Sequence, residues 1–160
     1  MIRRANLDDV LQVAQVHVQS WHETYQNIVR PEILDQINID QKIQIWEMVM
    51  NDPNQVVFVY EEQRDVLGFA DFYFKPHSEI GELKAIYLLN KIQARGIGAE
   101  FLKRGFDLFK AKNYKQIIVE VFDQNNSRYF YEKSGAYFVS EKSANEYAEG
   151  LKILHYRWDI

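Results

Sequence analysis

The sequence contains no cysteine and only 3 prolines and 7 glycines among its 160 residues. Without cysteine the chain can form no disulfide, no thiolate metal site and no cysteine nucleophile. The small number of prolines and glycines argues against a disordered or linker-rich chain. No stretch approaches the roughly 18 uninterrupted apolar residues of a membrane helix, and no apolar segment follows the basic residues of the opening MIRRANLDD. We therefore expect no signal peptide, no membrane association and a cytoplasmic protein.

An excess of positive charge is also missing. The formal net charge is −4 and the isoelectric point is near 5.6, which argues against a nucleic-acid partner because such partners need a basic face. A polyanionic cofactor can still enter through one local pocket. Histidines and carboxylates do not recur at the spacing of metal ligands, so we predict no metal site. The length allows one domain, residues 1–160, with a substantial core.

Hydrophobic periodicity predicts that this domain is of the mixed α/β class. Runs of β-branched and aromatic residues indicate strands, and Asn6 is in position to cap a first helix of about 18 residues. The order of elements is predicted to be β-α-α-β-β-β-α-β-α-β-β. The predicted strands are residues 2–4, 55–61, 66–75, 82–89, 116–122, 137–140 and 152–158, and the later helices are 39–50, 96–112 and 126–135, with a short helical turn from Pro31.

The most informative segment is Gln93-Ala94-Arg95-Gly96-Ile97-Gly98, which joins a buried strand directly to a helix. The first turn of a helix has backbone N–H groups without intrahelical partners, and the helix dipole adds partial positive charge. Glycines let an anion approach the backbone, and Arg95 adds a full charge. The segment therefore predicts a cradle for a pyrophosphate. The alternative is a glycine turn that serves only tight packing. The spacing fits neither a P-loop nor a dinucleotide-binding fingerprint.

These residues resemble the GNAT superfamily, the GCN5-related N-acetyltransferases. Gln93, Gly96 and Gly98 match its Gln/Arg-x-x-Gly-x-Gly/Ala signature. The segment from Gln124 to Tyr137 resembles its Asn-x-x-Ala-x-x-x-Tyr-x-x-x-Gly-Phe pattern, and the stretch HVQSWHETY from His17 is similar to that of a bacterial subgroup. The resemblance implies a mostly antiparallel mixed sheet flanked by helices, acetyl-CoA as the cofactor and, as in many relatives, a possible homodimer.

The resemblance also assigns the cofactor site. The segment Ile86-Tyr87-Leu88 is expected to contact the pantetheine arm, with Ile86 and Leu88 offering backbone groups beside a splayed strand. Gln124 stands where the family has asparagine, and Asn125 is the alternative contact. The N–H groups of Ala94, Arg95, Gly96, Ile97, Gly98 and Ala99 are expected to hold the pyrophosphate.

Two residues are candidate catalysts. Glu82 stands four residues before Ile86, as does the glutamate of related histone acetyltransferases, and is the candidate base. The alternatives are an ordinary strand residue and a chain of waters. Tyr131 is the candidate acid for the departing thiolate, with an ordinary phenol pKa, or else a packed helical tyrosine. The backbone N–H of Leu88 is a candidate oxyanion donor.

Trp21 and Tyr25 lie one helical turn apart and are candidate walls of the acceptor site, where an ammonium group would meet aromatic rings. Core packing is an equal alternative for Trp21. Since no cysteine can carry the acetyl group, the pattern favours direct attack by a small-molecule or peptide amine. The rival functions are a catalytically silent acyl-CoA-binding sensor or scaffold and an unrelated nucleotide-binding domain.

Overall fold

The computed structural model describes residues 1–160. Its strands are β1 (Ile2–Arg4), β2 (Gln55–Glu62), β3 (Asp65–Tyr73), β4 (Ile80–Leu88), β5 (Gln116–Phe122), β6 (Tyr137–Ser143) and β7 (Lys152–Asp159). Its helices are α1 (Val10–Tyr25), α2 (Pro31–Asp35), α3 (Ile39–Asn51), α4 (Ile97–Ala111) and α5 (Ser127–Lys133), and single 3-10 turns occur at Leu7–Asp9 and Asn90–Ile92. The predicted order is confirmed, and the helical turn at Pro31 is α2. None of these helices combines the length and apolarity needed to cross a membrane.

The seven strands form one sheet in the order β1-β2-β3-β4-β5-β7-β6. Every neighbouring pair is antiparallel except β4 and β5. The sheet is therefore mixed and mostly antiparallel, as predicted.

The two faces of the sheet are covered by different helices. On β3, Phe69 packs edge-on against Trp46 of α3, with ring centroids 4.8 Å apart. Phe72 lies on the opposite face, because side chains alternate along a strand, and contacts Phe109 of α4 at 6.0 Å. Both phenylalanines are fully buried. The sheet thus separates a face covered by α1 and α3 from one covered by α4.

The N-terminus of the first helical segment is fixed by a capping box. The side chain of Asn6 accepts a hydrogen bond from the backbone N–H of Asp8 at 2.8 Å, and Asp9 accepts one from the N–H of Asn6 at 2.9 Å. Asp9 also pairs with Arg3 of β1. This reciprocal arrangement is the reason that a helix starts where Asn6 predicts it.

The sheet opens in its middle. β4 pairs with β5 only through Ile80–Glu82 and then diverges from it, although both strands continue. The register between β3 and β4 shifts between Asp71 and Phe72, so that Lys84 is the extra residue of a bulge at the point of divergence. The result is a wedge-shaped opening between β4 and β5, which we call the slot.

Candidate active site

The slot is lined by backbone that has no strand partner. Leu89 donates its N–H to the carbonyl of Leu67 on β3. Because alternate residues of a strand direct their backbone groups to opposite sides, Ile86 and Leu88 direct theirs into the slot. The side-chain amide of Gln93 donates to the Leu88 carbonyl at 2.9 Å and ties the following loop to this edge. The slot therefore offers the backbone groups of Ile86 and the N–H of Leu88 to an extended arm, while the carbonyl of Leu88 is occupied by Gln93.

The loop between β4 and α4 concentrates unpaired N–H groups. None of the six backbone N–H groups from Ala94 to Ala99 donates to another backbone group, and no side chain caps α4. Ala94 and Gly96 have positive φ values of 59° and 79°. This left-handed geometry is unfavourable for Ala94 and ordinary for glycine. Such a run of free N–H groups at a helix start forms an anion-binding concavity.

Gly96 and Gly98 of this loop are glycines for different physical reasons. A Cβ at Gly96 would meet no atom within 4 Å, so this position opens into free space and glycine is required by its φ. A Cβ at Gly98 would lie 3.1 Å from Cζ of Phe130 on α5, tighter than an ordinary contact. Packing against α5, the alternative considered from the sequence, is therefore part of the reason for the second glycine.

A groove of about 970 Å³ runs from the slot along this loop and between α4 and α5. Its volume is at the upper end of the range of cofactor pockets. Most of the predicted cofactor residues meet in it. The lining includes Ile86, Leu88, Gln93, Ala94, Gly96, Ile97, Gly98, Ala99, Gln124, Asn125 and Tyr131, and Tyr87 lines the connected slot of about 90 Å³.

Tyr131 lies where the slot and the groove meet. Its side chain is 5% exposed and packs edge-on against Trp158 at 5.6 Å. Burial raises the pKa of this phenol, and the proximity of Tyr25 raises it further. The expectation of an ordinary pKa is therefore wrong, because the side chain of Tyr131 is buried in the folded protein. Tyr131 is held in its protonated, hydrogen-donating form.

Comparison with known proteins bears on this arrangement directly. Residues 15–136 match the acetyltransferase (GNAT) family. The chain is also 30% identical over 160 residues to the uncharacterized N-acetyltransferase YuaI of Bacillus subtilis strain 168, covering 98% of this chain and 91% of that protein. The chain belongs to the GNAT acetyltransferase family. Membership identifies it as an acetyl-CoA-dependent acetyltransferase, as the sequence predicted.

Solved structures agree with this fold. The PaiA N-acetyltransferase from Thermoplasma acidophilum, solved in complex with coenzyme A, matches with a TM-score of 0.82 at 17% identity and covers 100% of this chain and 98% of its own. An N-acetyltransferase from Staphylococcus aureus Mu50 matches with a TM-score of 0.76 at 24% identity, covering 99% and 97%. Both likenesses extend over the whole GNAT fold of the present chain.

Coenzyme A carries a diphosphate, and the residues present in this acetyltransferase fit such a group. Five of the six residues with free N–H groups from Ala94 to Ala99 line the groove, and Gly96 leaves open the space that a Cβ would fill. Arg95 does not take part through its side chain. Its guanidinium forms a salt bridge with Glu62 and donates to the hydroxyl of Tyr60 at 3.2 Å, both on β2. The structure therefore leaves to Arg95 only a backbone contribution to the cradle.

The two amides at positions 124 and 125 have different surroundings in this GNAT domain. Gln124 is exposed on the groove wall. Asn125 is buried and donates to the hydroxyl of Tyr25 at 3.2 Å, while its side-chain oxygen accepts from the N–H of Ser127 at 2.8 Å. Tyr25 in turn approaches Tyr87, with the hydroxyl oxygens 3.5 Å apart. Asn125 thus joins the end of α1 to the start of α5 across the slot.

The predicted acceptor residues are only partly brought together. Tyr25 lines the slot, whereas Trp21 lines neither the slot nor the groove. The Trp21 ring packs edge-on against Tyr25 at 4.6 Å, and its indole nitrogen is buried without a partner. The neighbouring His17 accepts a hydrogen bond from Trp46 at 3.1 Å, and burial lowers its pKa to about 3. The structure therefore favours packing as the role of Trp21.

Two glutamates lie near the slot, Glu82 on β4 and Glu120 on β5. Glu82 is the last β4 residue paired with β5, so it stands at the closed end of the slot and does not line it. Burial raises the pKa of Glu82. Glu120 of β5 does line the slot, and it lies 3.4 Å from Lys142. Glu120 was not predicted as a site residue from the sequence. Its signal was available, since Glu120 is the one charged residue in the apolar strand QIIVEVF.

Proposed function

We propose that this GNAT protein moves an acetyl group from acetyl-CoA to a primary amine by direct attack within a ternary complex. The observation that carries the proposal is the continuous path from the free N–H groups at Ala94–Ala99, through the groove, to Tyr131 at the slot. Bound acetyl-CoA supplies the thioester carbonyl that the amine attacks and the thiolate that leaves. The catalytic unit that we propose is the whole chain, residues 1–160.

The cradle and the slot orient the cofactor. In this proposal the N–H groups from Ala94 to Ala99 hold the diphosphate, and Ile86 and Leu88 bind the pantetheine arm as an added strand would. Gln124 on the groove wall contacts the same arm. The N–H of Leu88 donates to the thioester oxygen as negative charge develops there.

Tyr131 serves the leaving group. Its raised pKa keeps the proton on the phenol oxygen across the physiological range. A donor of this kind stabilises a departing thiolate by a hydrogen bond as the carbon–sulfur bond breaks. The buried position of Tyr131 strengthens this hydrogen bond because little water competes for it.

The acceptor amine enters from the face that carries the two glutamates. Glu120 lines the slot and attracts the ammonium form of the amine. Glu82 stands beside the slot and takes the ammonium proton through a water, since a base must reach its proton directly or through one water. In this proposal the neutral amine would then attack the carbonyl carbon, the carbon–sulfur bond would break, and the second proton lost by the nitrogen would neutralise the departing thiolate. Tyr25 forms part of the wall of this acceptor site.

The proposal is tested by initial rates with acetyl-CoA and a panel of small and peptide primary amines, varying both substrates. A ternary complex predicts intersecting lines in double-reciprocal plots. Parallel lines would contradict direct attack. Tight coenzyme A binding without turnover of any amine would instead support the silent acyl-CoA-binding module.

A further inference from the structure

The groove is lined by two lysines in addition to the residues of the diphosphate cradle. On α4, Leu102, Lys103 and Phe106 line it, and on α5 Phe130, Lys133 and Ser134 line the opposite wall. Helix α4 begins at Ile97, so Lys103 lies roughly 9 Å further along the helix axis at 1.5 Å per residue. Lys103 is therefore beyond the free N–H groups at the helix start, and Lys133 is the last residue of α5 on the opposite wall.

The two lysines differ in their charge environment. Lys103 is paired with Asp107 on its own helix at 3.0 Å. Lys133 forms no salt bridge. The carboxylate next to it in the chain, Glu132, pairs with Arg128 one turn earlier. Lys133 is exposed at the groove wall and presents an uncompensated positive charge. An ammonium group of this kind is a mobile point charge that binds phosphate without a fixed geometry.

We propose that Lys133 recognises the 3′-phosphate of coenzyme A and gives this GNAT domain its preference for coenzyme A over 3′-dephospho-coenzyme A. The diphosphate has its donors in the backbone from Ala94 to Ala99. The 3′-phosphate of coenzyme A is separated from the diphosphate by one ribose ring and carries its own charge, which calls for a counterion of its own. Of the two lysines that line the groove, Lys133 is the one whose charge is left for a bound phosphate.

Equilibrium binding tests this assignment without any acetyl transfer. Isothermal titration calorimetry gives the Kd of coenzyme A and of 3′-dephospho-coenzyme A for the wild type, Lys133→Gln and Lys133→Arg. We expect the wild type to bind coenzyme A about tenfold more tightly than the dephospho form, the size of one charge-assisted contact to phosphate. Lys133→Gln should reduce this ratio to about two or less while leaving the dephospho affinity unchanged, and Lys133→Arg should retain the preference.

Lys110→Gln is the matched control, because Lys110 is an exposed lysine of α4 outside the groove. It removes the same charge and should leave the ratio unchanged. The wild-type preference should also shrink as salt is added, since the contact is solvent-exposed.

Three results would overturn the assignment. In the first, the wild type binds coenzyme A and 3′-dephospho-coenzyme A with the same Kd. In the second, Lys133→Gln loses affinity for both ligands by the same factor. In the third, Lys103→Gln reduces the preference for coenzyme A more than Lys133→Gln does. Failure of the wild type to bind either ligand would contradict the cofactor site itself and thus the proposed function. Equal binding of both ligands would contradict only the role of Lys133.

Discussion

Tyr131 is a residue whose chemistry follows from where it is packed. The ring rests against Trp158 and Phe130, with centroids 5.6 Å away in both cases. Burial raises its pKa, and this makes the phenol a permanent donor at the end of the slot. The same side chain on a helix surface would be an ordinary solvated tyrosine. Position in the cleft, and not residue type, makes Tyr131 a candidate for catalysis.

Tyr131→Phe should lower kcat by about 10²-fold, the usual loss when one hydrogen-bond donor to a developing negative charge is removed, and leave the Kd of coenzyme A nearly unchanged. The ring volume is kept, so the fold should persist. Steady-state kinetics and calorimetry measure the two quantities. Tyr129→Phe is the control, because Tyr129 is on the same helix and 61% exposed. A Tyr131→Phe enzyme with wild-type kcat would remove Tyr131 from the mechanism.

The proposed role of Glu82 as the base predicts that the reaction rate depends on pH. A base must be deprotonated to act, so kcat/KM falls as the pH falls through the pKa of Glu82, which burial raises above its ordinary value. Glu82→Gln should lower kcat/KM by about 10²-fold and abolish this acidic limb. Glu120→Gln should instead raise the KM for the amine and keep the limb. The pH dependence of kcat/KM, measured for both variants, distinguishes the two roles. If only Glu120→Gln lost the fall of kcat/KM at low pH, Glu120 and not Glu82 would be the base.

At the scale of elements, the loop from Gln93 to Gly98 depends on the strand before it and the helix after it. The splay of β4 from β5 exposes Ile86 and Leu88, and the start of α4 supplies N–H groups without partners. The loop is held to the β2–β3 hairpin by Arg95 and Glu62. This pair is solvent-exposed and contributes little to stability. The contact does hold the side chain of Arg95 against β2, outside the lining of the groove.

Gly96→Glu should weaken coenzyme A binding more than 100-fold while the protein stays folded. The new side chain projects into open space in the groove and places a negative charge at the diphosphate cradle. The φ of 79° adds a strain of about 1–2 kcal/mol. Calorimetry measures the affinity, and circular dichroism measures the fold.

Gly150→Glu is a matched control for this variant. Gly150 also has a positive φ, of 77°, and free space around its Cβ position, but it lies in the loop between β6 and β7. The two variants should lose similar stability, and only Gly96→Glu should lose coenzyme A. Unchanged affinity in Gly96→Glu would reject the cradle.

At the scale of the whole molecule, two buried groups give opposite contributions to stability as the pH changes. His17 has its pKa lowered to about 3, so the folded state favours neutral histidine and loses stability as the pH falls below about 6.5. Asp71 of β3 is 3% exposed with one carboxylate oxygen unpartnered, and burial raises its pKa to about 7. The folded state binds a proton at Asp71 more tightly than the unfolded state does, so the protein loses stability as the pH rises from about 4 to 7.

Asp71→Asn should therefore stabilise the protein at pH 8, by an amount on the order of a few kcal/mol. The gain should shrink toward pH 4, where the carboxyl is protonated in the folded state and increasingly so in the unfolded state. Denaturant unfolding at both pH values measures it. Asp65→Asn, an exposed residue at the start of β3, is the control and should change little. Equal stability of Asp71→Asn and wild type at pH 8 would show that Asp71 finds a partner in solution.

Local physics allowed much of this protein to be predicted from its sequence. The periods of the strands and helices, the Asn6 cap and the contiguous run from Gln93 to Ala99 depend on residues within a few positions of one another. A family signature added candidate roles for distant residues such as Tyr131. The element order and the family were therefore accessible before the fold was known.

Other features were decided only when the chain folded. Arg95 pairs with Glu62, Gly98 packs against Phe130, and Glu120 reaches the slot that Glu82 does not line. The raised pKa of Tyr131 has the same origin. Each depends on residues more than 30 positions apart, or on the burial that sheet and helices create together. No local pattern encodes such contacts, because the free energy that selects them comes from packing the whole domain at once.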